Sequence, residues 1–270
     1  MEQKVTVPQL ISFKGKKKIV SVTSYDYLFA RIVDESGFDF ILVGDSVGTT
    51  YQGLSSTIPV KLDEMLYHTR IVRRGVKRAL LVGDMPFMSY QASEDEAVYN
   101  AGLFLKEGAD AVKLEGGSNV AKLVERMVSV GIPVMGHIGL TPQSSNLFGG
   151  YKIQGKEKEE IKRLLESAKA LTQAGAFSIV LEGMPEEVAL EITQSIPIPT
   201  IGIGAGRYCD GQILVITDLL GLDPNFSPKF VKKYLDLHSE VKTALMQYAE
   251  DILNDRFPGE ANVFHLRKDE

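Results

Sequence analysis

Five short apolar runs in this chain each end at an ionisable residue, and this repeated pattern strongly constrains the fold. The runs read FILVGD at 40–45, LLVGD at 80–84, VKLE at 112–115, VMGH at 134–137 and IVLE at 179–182. Continuous apolar runs of this length are typical of strands buried on both faces, as in a parallel sheet. Because the carboxyl ends of parallel strands share one edge, we expect Asp45, Asp84, Glu115, His137 and Glu182 to approach one site.

Eight predicted strands alternate with predicted helices over the 270 residues. The strands are expected at 19–24, 40–44, 79–83, 111–114, 133–136, 178–181, 199–206 and 212–217, and a long final helix at 229–253. This alternation predicts a single (β/α)₈ TIM barrel over residues 1–270, with a short preamble at 1–18 and a polar tail at 257–270. A doubly wound sheet is the alternative, but the glycines Gly202, Gly204 and Gly206 do not follow the dinucleotide-binding spacing.

Composition and charge exclude several classes of function. The net charge of -5 without a dominant basic cluster argues against nucleic acid as a partner. Neither an apolar run of membrane-spanning length nor a signal-peptide core is found, so we expect no membrane association. Cys209 is the only cysteine, which favours a reducing compartment and a cytoplasmic location.

The predicted cluster of acids suggests a metal site. Carboxylates crowded at one end of a barrel repel one another unless a proton or a cation relieves them. Oxygen ligands without a cysteine cluster favour Mg²⁺. We expect Asp45 and Asp84 to be direct ligands and Glu115 to bind directly or through water. Glu182 is then a candidate general base, and its alternative role is a structural ion pair.

Four further residues accompany these acids in the sequence. Lys113 shares a strand face with Glu115, so it forms either a salt bridge to Glu115 or a contact to a substrate carboxylate. Ser46 is expected to bind an anion or to cap a helix. His137 is a ligand, an acid or an orienting hydrogen-bond partner, with the last favoured, and Tyr25 is expected behind the site.

Several long motifs resemble one enzyme family. They are VGDSVGTTYQG at 43–53, DMPFMSY at 84–90, VKLEGG at 112–117, GHIGLTPQS at 136–144, FGGYKIQG at 148–155 and IGIGAG at 201–206. Over nearly its whole length the chain resembles the ketopantoate hydroxymethyltransferase (3-methyl-2-oxobutanoate hydroxymethyltransferase) family. That family belongs to the phosphoenolpyruvate/pyruvate-type barrels.

The resemblance implies a reaction and its cofactors. A hydroxymethyl group would pass from 5,10-methylenetetrahydrofolate to 3-methyl-2-oxobutanoate through a Mg²⁺-stabilised enolate. The product would be 2-dehydropantoate, on the route to pantothenate and coenzyme A. The resemblance also implies one Mg²⁺ per subunit, a homo-oligomer, by analogy a decamer, and small-molecule partners only.

The resemblance also assigns residues, by motif. Asp45, Asp84 and Glu115 match the metal-associated acids, and Glu182 matches the proton acceptor. The residues that contact the substrate in that family correspond here to Ser46, Lys113, Asp45 and Asp84. The loop at 141–155 is expected to cover the site.

Two other functions are compatible with the same pattern. One is a Mg²⁺-dependent C–C lyase acting on another 2-oxo acid, which would need no folate. The other is a non-catalytic barrel that binds a 2-oxo acid. The several acids at one end argue against the second, because a binding protein needs no general base.

Overall fold

The computed structural model describes residues 3–266, which fall into two compact units divided between Ile216 and Thr217. The first unit contains a closed barrel of parallel strands that pair in chain order, β1 with β2 and onward until β8 returns to β1. The strands are β1 Ile19–Thr23, β2 Phe40–Val43, β3 Leu80–Asp84, β4 Ala111–Glu115, β5 Val134–Gly139, β6 Ser178–Glu182, β7 Thr200–Ile203 and β8 Gly211–Gln212. The predicted (β/α)₈ barrel is confirmed; the extension of one domain over the whole chain stays a prediction.

Helices follow most of the strands. They are α1 Val7–Ser12, α2 Tyr27–Glu35, α3 Val47–Thr50, α4 Leu62–Gly75, α5 Glu94–Lys106, α6 Ala121–Ser129, α7 Ser145–Phe148, α8 Lys158–Gln173, α9 Glu186–Ser195, α10 Ile216–Leu219 and α11 Leu237–Leu253. Local signals set their starts: the Asp26 carboxylate accepts the amides of Leu28 and Phe29 at the head of α2. Within residues 3–266, no helix is long and apolar enough to cross a membrane.

Two predicted elements differ most from the structure, and β7 also ends at Ile203, before the glycine-rich turn. The strand expected at 212–217 is only Gly211–Gln212, and α10 already begins at Ile216. A short apolar run does not distinguish a strand from a buried turn of helix. The helix expected from residue 229 begins at Leu237, where the Asp236 carboxylate accepts the amide of Ser239. The apolar residues before Asp236 keep the spacing of a helix, and for this reason the sequence predicts a start that is too early.

The barrel interior is apolar at its amino end and polar at its carboxyl end. Leu80, Val82, Ala111, Met135 and Val180 belong to one buried apolar cluster. Side chains two residues apart on a strand share a face. Along β3, β4, β5 and β6, every second residue therefore faces the barrel interior. The inward-facing residues that belong to the apolar cluster are followed by polar ones near the carboxyl end.

A second set of acids lies at the amino end of the barrel. Each directly precedes an even-numbered strand and accepts the amide of the first or second residue of the strand before it. The pairs are Asp39 with Val20 at 3.0 Å, Asp110 with Leu81 at 3.0 Å and Asp210 with Thr200 at 2.9 Å. Each also forms an ion pair: Asp39 with Lys17, Asp110 with Arg73 and Asp210 with Lys14. These acids are structural, because their charge is matched where it is buried.

We predict that Asp39→Ala destabilises the protein by about 2–3 kcal/mol, because the strand amide of Val20 loses its acceptor and Lys17 loses its ion-pair partner. Asp39→Asn keeps an acceptor oxygen and is expected to cost less than half as much. Urea unfolding measures both variants. Equal stability of Asp39→Ala and wild type would show that this acid is not a strand-positioning group.

Candidate active site

The predicted acids are delivered to the carboxyl end of the barrel by the ends of its strands. Asp84, Glu115 and Glu182 are the last residues of β3, β4 and β6. Asp45 follows β2 after one glycine. His137 lies inside β5, which continues to Gly139 beyond the predicted end. Asp45, Asp84, Glu115 and His137 are buried, and Glu182 is partly exposed.

Lys113 provides the positive charge at the centre of this group. Its Nζ lies 2.7 Å from Oδ1 of Asp84 and 3.4 Å from Nδ1 of His137. The salt-bridge partner expected from the sequence was Glu115, but the ion pair forms with Asp84. Burial lowers the pKa of Lys113, yet the charges of the surrounding carboxylates, Asp84 first, raise it above its usual value. The lysine therefore stays charged in its buried position.

Asp45 and Asp84 are joined directly. The backbone amide of Asp45 donates to Oδ2 of Asp84 at 3.1 Å. Burial raises the pKa of Asp84 to about 7, against the lowering effect of Lys113. Burial and then the charge of Glu115 raise the pKa of Asp45. Burial is the first cause of both shifts, and the charge of a neighbouring carboxylate adds to it.

His137 connects two of the predicted acids. Its Nε2 lies 3.2 Å from Oε2 of Glu182, and its Nδ1 lies 3.5 Å from Oε1 of Glu115. Burial and Lys113 lower the pKa of the imidazole, but its close contacts with the Glu115 and Glu182 carboxylates outweigh them and raise it to about 9. The Glu182 side chain is 19% exposed and that of His137 only 2%. His137 is thus the buried support, and Glu182 is the group that bound molecules can reach.

Ser46 rests against a buried tyrosine. Its Oγ lies 2.8 Å from the hydroxyl of Tyr25, which accepts a hydrogen bond from Thr23 at 2.8 Å. Ser46 stands at the N-cap of α3 but makes no side-chain capping hydrogen bond, so the capping interpretation is wrong. A Cβ at Gly44 would lie 2.7 Å from Ser46 Oγ. Glycine at position 44 therefore leaves the space in which the serine hydroxyl sits.

Two uncharged residues complete the group, and sequence reasoning assigned them no role. The Gln143 side-chain amide donates to Oδ2 of Asp45 at 2.9 Å, and its backbone amide donates to Oε2 of Glu115 at 3.0 Å. The Tyr90 hydroxyl donates to Oε1 of Gln143 at 2.7 Å. Both residues lie in motifs quoted above, but a search for ionisable groups at strand ends does not find an amide and a phenol.

The site offers some, but not all, of the oxygen ligands that a divalent cation needs. Among residues 3–266, no three Asp, Glu, His or Cys side chains are arranged to hold a metal ion. Asp45 and Asp84 are adjacent, and in this described part of the chain Oδ1 of Asp45 accepts no hydrogen bond. Both oxygens of Glu115 already face Gln143 and His137. The donor set fits Mg²⁺ held by two carboxylates with its other positions open, which is a usual arrangement for this ion.

Sequence comparison identifies the family to which these residues belong. The family model described as ketopantoate hydroxymethyltransferase matches residues 4–260. The chain belongs to this family. It is 57% identical over 267 residues to the 3-methyl-2-oxobutanoate hydroxymethyltransferase of Syntrophobacter fumaroxidans, covering 98% of this chain and 95% of that protein. The protein of the same name from Pseudothermotoga lettingae is 58% identical over 261 residues, covering 96% of this chain and 98% of the relative.

Comparison with solved structures agrees with the (β/α)₈ barrel fold. A phosphonopyruvate hydrolase superposes with a TM-score of 0.63 at 11% identity, covering 98% of this chain and 93% of that one. A 2,3-dimethylmalate lyase, titled a PEP mutase/isocitrate lyase superfamily member, superposes with a TM-score of 0.60 at 16% identity, covering 94% and 89%. At these identities the likeness describes the fold alone.

We predict that Lys113→Met destabilises the metal-free protein by about 3 kcal/mol, because it leaves the Asp84 carboxylate buried without its ion-pair partner. The double variant Asp84→Asn/Lys113→Met removes both charges, and we expect it to recover at least about 2 kcal/mol relative to the sum of the single variants. Urea unfolding at pH 8 with EDTA measures the four proteins of this cycle. Additive effects would contradict a direct interaction between the two side chains.

Proposed function

We propose that this chain transfers a hydroxymethyl group from 5,10-methylenetetrahydrofolate to 3-methyl-2-oxobutanoate, giving 2-dehydropantoate and tetrahydrofolate. The observation that carries the proposal is the partly exposed Glu182 carboxylate, supported by His137 and close to a buried group of acids and Lys113. A general base beside a site for an anionic substrate is what removal of a proton from a 2-oxo acid requires. Membership of the hydroxymethyltransferase family supports this choice of reaction.

Glu182 acts as the general base in this proposal. It removes the proton from C3 of the 2-oxo acid, and its 3.2 Å ion-pair contact with Nε2 of His137 keeps the carboxylate oriented. C3 then forms the new carbon–carbon bond to the methylene carbon of the folate. Both carbon–nitrogen bonds to that carbon break. Water supplies the hydroxyl oxygen, and the two folate nitrogens regain the proton from C3 and the second proton of water.

Lys113 and Ser46 bind the substrate carboxylate in this proposal. Lys113 is a buried cation that already balances Asp84, and Ser46 has a hydroxyl that is not used for capping. Together they would orient the 2-oxo acid so that its C3 proton faces Glu182. The loop at 141–155, in which Gln143 and Ser145 are buried and Tyr151 is exposed, would close over the substrate and exclude water.

We further propose that Asp45 and Asp84 would hold one Mg²⁺ per subunit, with Glu115 contacting it directly or through water. When bound, the cation would stabilise the negative charge that develops on the keto oxygen after the proton leaves C3. The support is the donor set itself: hard oxygen ligands, an Asp45 oxygen without a hydrogen bond among the described residues, and carboxylates that outnumber the two basic groups, Lys113 and His137. Asp45 and Asp84 would also contact the substrate.

The family resemblance supports a proposal for assembly, and the single cysteine supports one for location. We propose a homo-oligomer, by that resemblance a decamer, in the cytoplasm, with small molecules as its only partners. Size-exclusion chromatography with light scattering tests the assembly. A monomeric protein at working concentration would overturn this part of the proposal and leave the reaction intact.

The reaction is tested by proton NMR of 3-methyl-2-oxobutanoate in D₂O with purified protein. We expect Mg²⁺-dependent loss of the C3 proton signal without folate, and formation of 2-dehydropantoate once methylenetetrahydrofolate is added. We expect Glu182→Gln to exchange this proton about 10²- to 10⁴-fold more slowly, because the amide is not a base.

Three outcomes would change the proposal. No exchange by wild type, even with metal and folate, would overturn the substrate and favour a C–C lyase for another 2-oxo acid. Exchange without product after the folate is added would overturn the transfer step. Exchange by Glu182→Gln at the wild-type rate would leave the reaction standing and remove Glu182 as the base. The isosteric Glu186→Gln, in α9, is the matched control for loss of one carboxylate.

A further inference from the structure

We propose that Gln143 is a positioning residue that fixes the carboxylates of Asp45 and Glu115 and thereby sets the affinity of the site for a divalent cation. The inference rests on the proposed function, in which Asp45 is a metal ligand. Gln143 is 5% exposed, lies in the short helical turn Pro142–Ser144 after β5, and reaches both acids from one backbone position.

The contacts of Gln143 use every polar atom of its side chain. Nε2 donates to Oδ2 of Asp45 at 2.9 Å and to the carbonyl oxygen of Met85 at 3.0 Å. Oε1 accepts from the hydroxyl of Tyr90 at 2.7 Å and from Nε2 of Gln91 at 3.2 Å. A buried amide with four hydrogen bonds has one stable orientation, since any rotation leaves a polar group unpaired.

The orientation of this amide follows from its neighbours. The carbonyl oxygen of Met85 can only accept, so the group facing it must be the NH₂ of Gln143. The reversed amide would bring Oε1 against two acceptors, the Met85 carbonyl and the Asp45 carboxylate. Gln143 therefore donates to Asp45, and it does so without adding charge.

Tyr90 holds the other side of the amide. Its hydroxyl oxygen accepts the backbone amide of Glu115 at 3.1 Å, so its single proton is available for Gln143 Oε1, its shortest contact. Tyr90 is 4% exposed. The Tyr90 phenol and the Gln143 amide thus connect the end of β4 with Asp45, the acid that follows β2.

This arrangement determines which oxygens remain for a ligand. Gln143 occupies Oδ2 of Asp45 and the backbone amide at position 143 occupies Oε2 of Glu115. The first contact leaves Oδ1 of Asp45 as the oxygen that can face a cation. Without Gln143 the Asp45 carboxylate would rotate, and part of the binding energy would be lost in fixing it again. Removing a neighbour that orients a metal ligand typically weakens metal binding about 10- to 100-fold.

The test uses Mn²⁺ as a paramagnetic substitute for Mg²⁺, with free Mn²⁺ measured by electron paramagnetic resonance and no substrate present. We expect Gln143→Met, which keeps the length and removes the amide, to raise the Kd about 10- to 100-fold. Tyr90→Phe keeps the amide and removes its support, and a smaller rise in the same direction is expected. This second variant decides the question if Gln143→Met does not fold.

Thr193→Val is the matched control. Its hydroxyl makes a buried hydrogen bond of 2.7 Å to Thr200, which begins β7 at the opposite end of the barrel. We expect it to lower the melting temperature and leave the Kd for Mn²⁺ within about twofold of wild type, because no metal ligand is near.

The possible outcomes of these measurements lead to different conclusions. Wild-type affinity in both Gln143→Met and Tyr90→Phe overturns the positioning role and leaves the proposed function untouched. A wild-type protein that binds no Mn²⁺ overturns both the metal assignment and this inference. An equal loss of affinity in Thr193→Val shows that general destabilisation, rather than the orientation of Asp45, weakens the site.

Discussion

The buried negative charge at the carboxyl end of the barrel is the constraint on which the rest of the structure depends. Asp45, Asp84 and Glu115 lie there with Lys113 as the one buried lysine among them. Isolated charges in a medium of low dielectric constant are costly, and each must be hydrogen-bonded, paired or neutralised. The strands, the turn after β5, Lys113 and His137 are arranged so that each acid has a partner. With Glu182 included, four carboxylates still outnumber these two basic groups. The excess of negative charge favours the binding of a cation at this site.

The two ends of the barrel treat the same residue type differently. At the amino end, Asp39 accepts a strand amide and pairs with Lys17, whose side chain is 45% exposed. The Asp39 side chain is itself only 3% exposed, but its lysine partner keeps much of its contact with water. At the carboxyl end, Asp84 pairs with Lys113, which is 4% exposed. Both acids adjoin apolar strands in the sequence, so their roles are distinguished by their neighbours in space.

The strands and the position of the acids could be predicted from the sequence, whereas the pairing of charges could not. Lys113 and Glu115 are two residues apart on β4, which separates them by roughly 6.6 Å along the strand. Asp84 is the partner of Lys113 in the register of β3 and β4, at the spacing of neighbouring strands, roughly 4.8 Å. The closer partner is therefore across the sheet. Such a pair depends on register, and apolar runs alone do not fix the register of parallel strands.

Gln143 and Tyr90 were missed for a related reason, and their chemistry explains why neutral groups occupy these positions. A lysine in place of Gln143 would also donate to Asp45, but its charge would cancel the negative potential that attracts a cation. An amide orients the carboxylate and leaves that potential in place. The site thus separates two tasks: Lys113 lowers the cost of burying Asp84, and uncharged donors fix the direction of the remaining acids. Neutral residues with this role carry no charge signal in the sequence and are found from the hydrogen bonds of the folded chain.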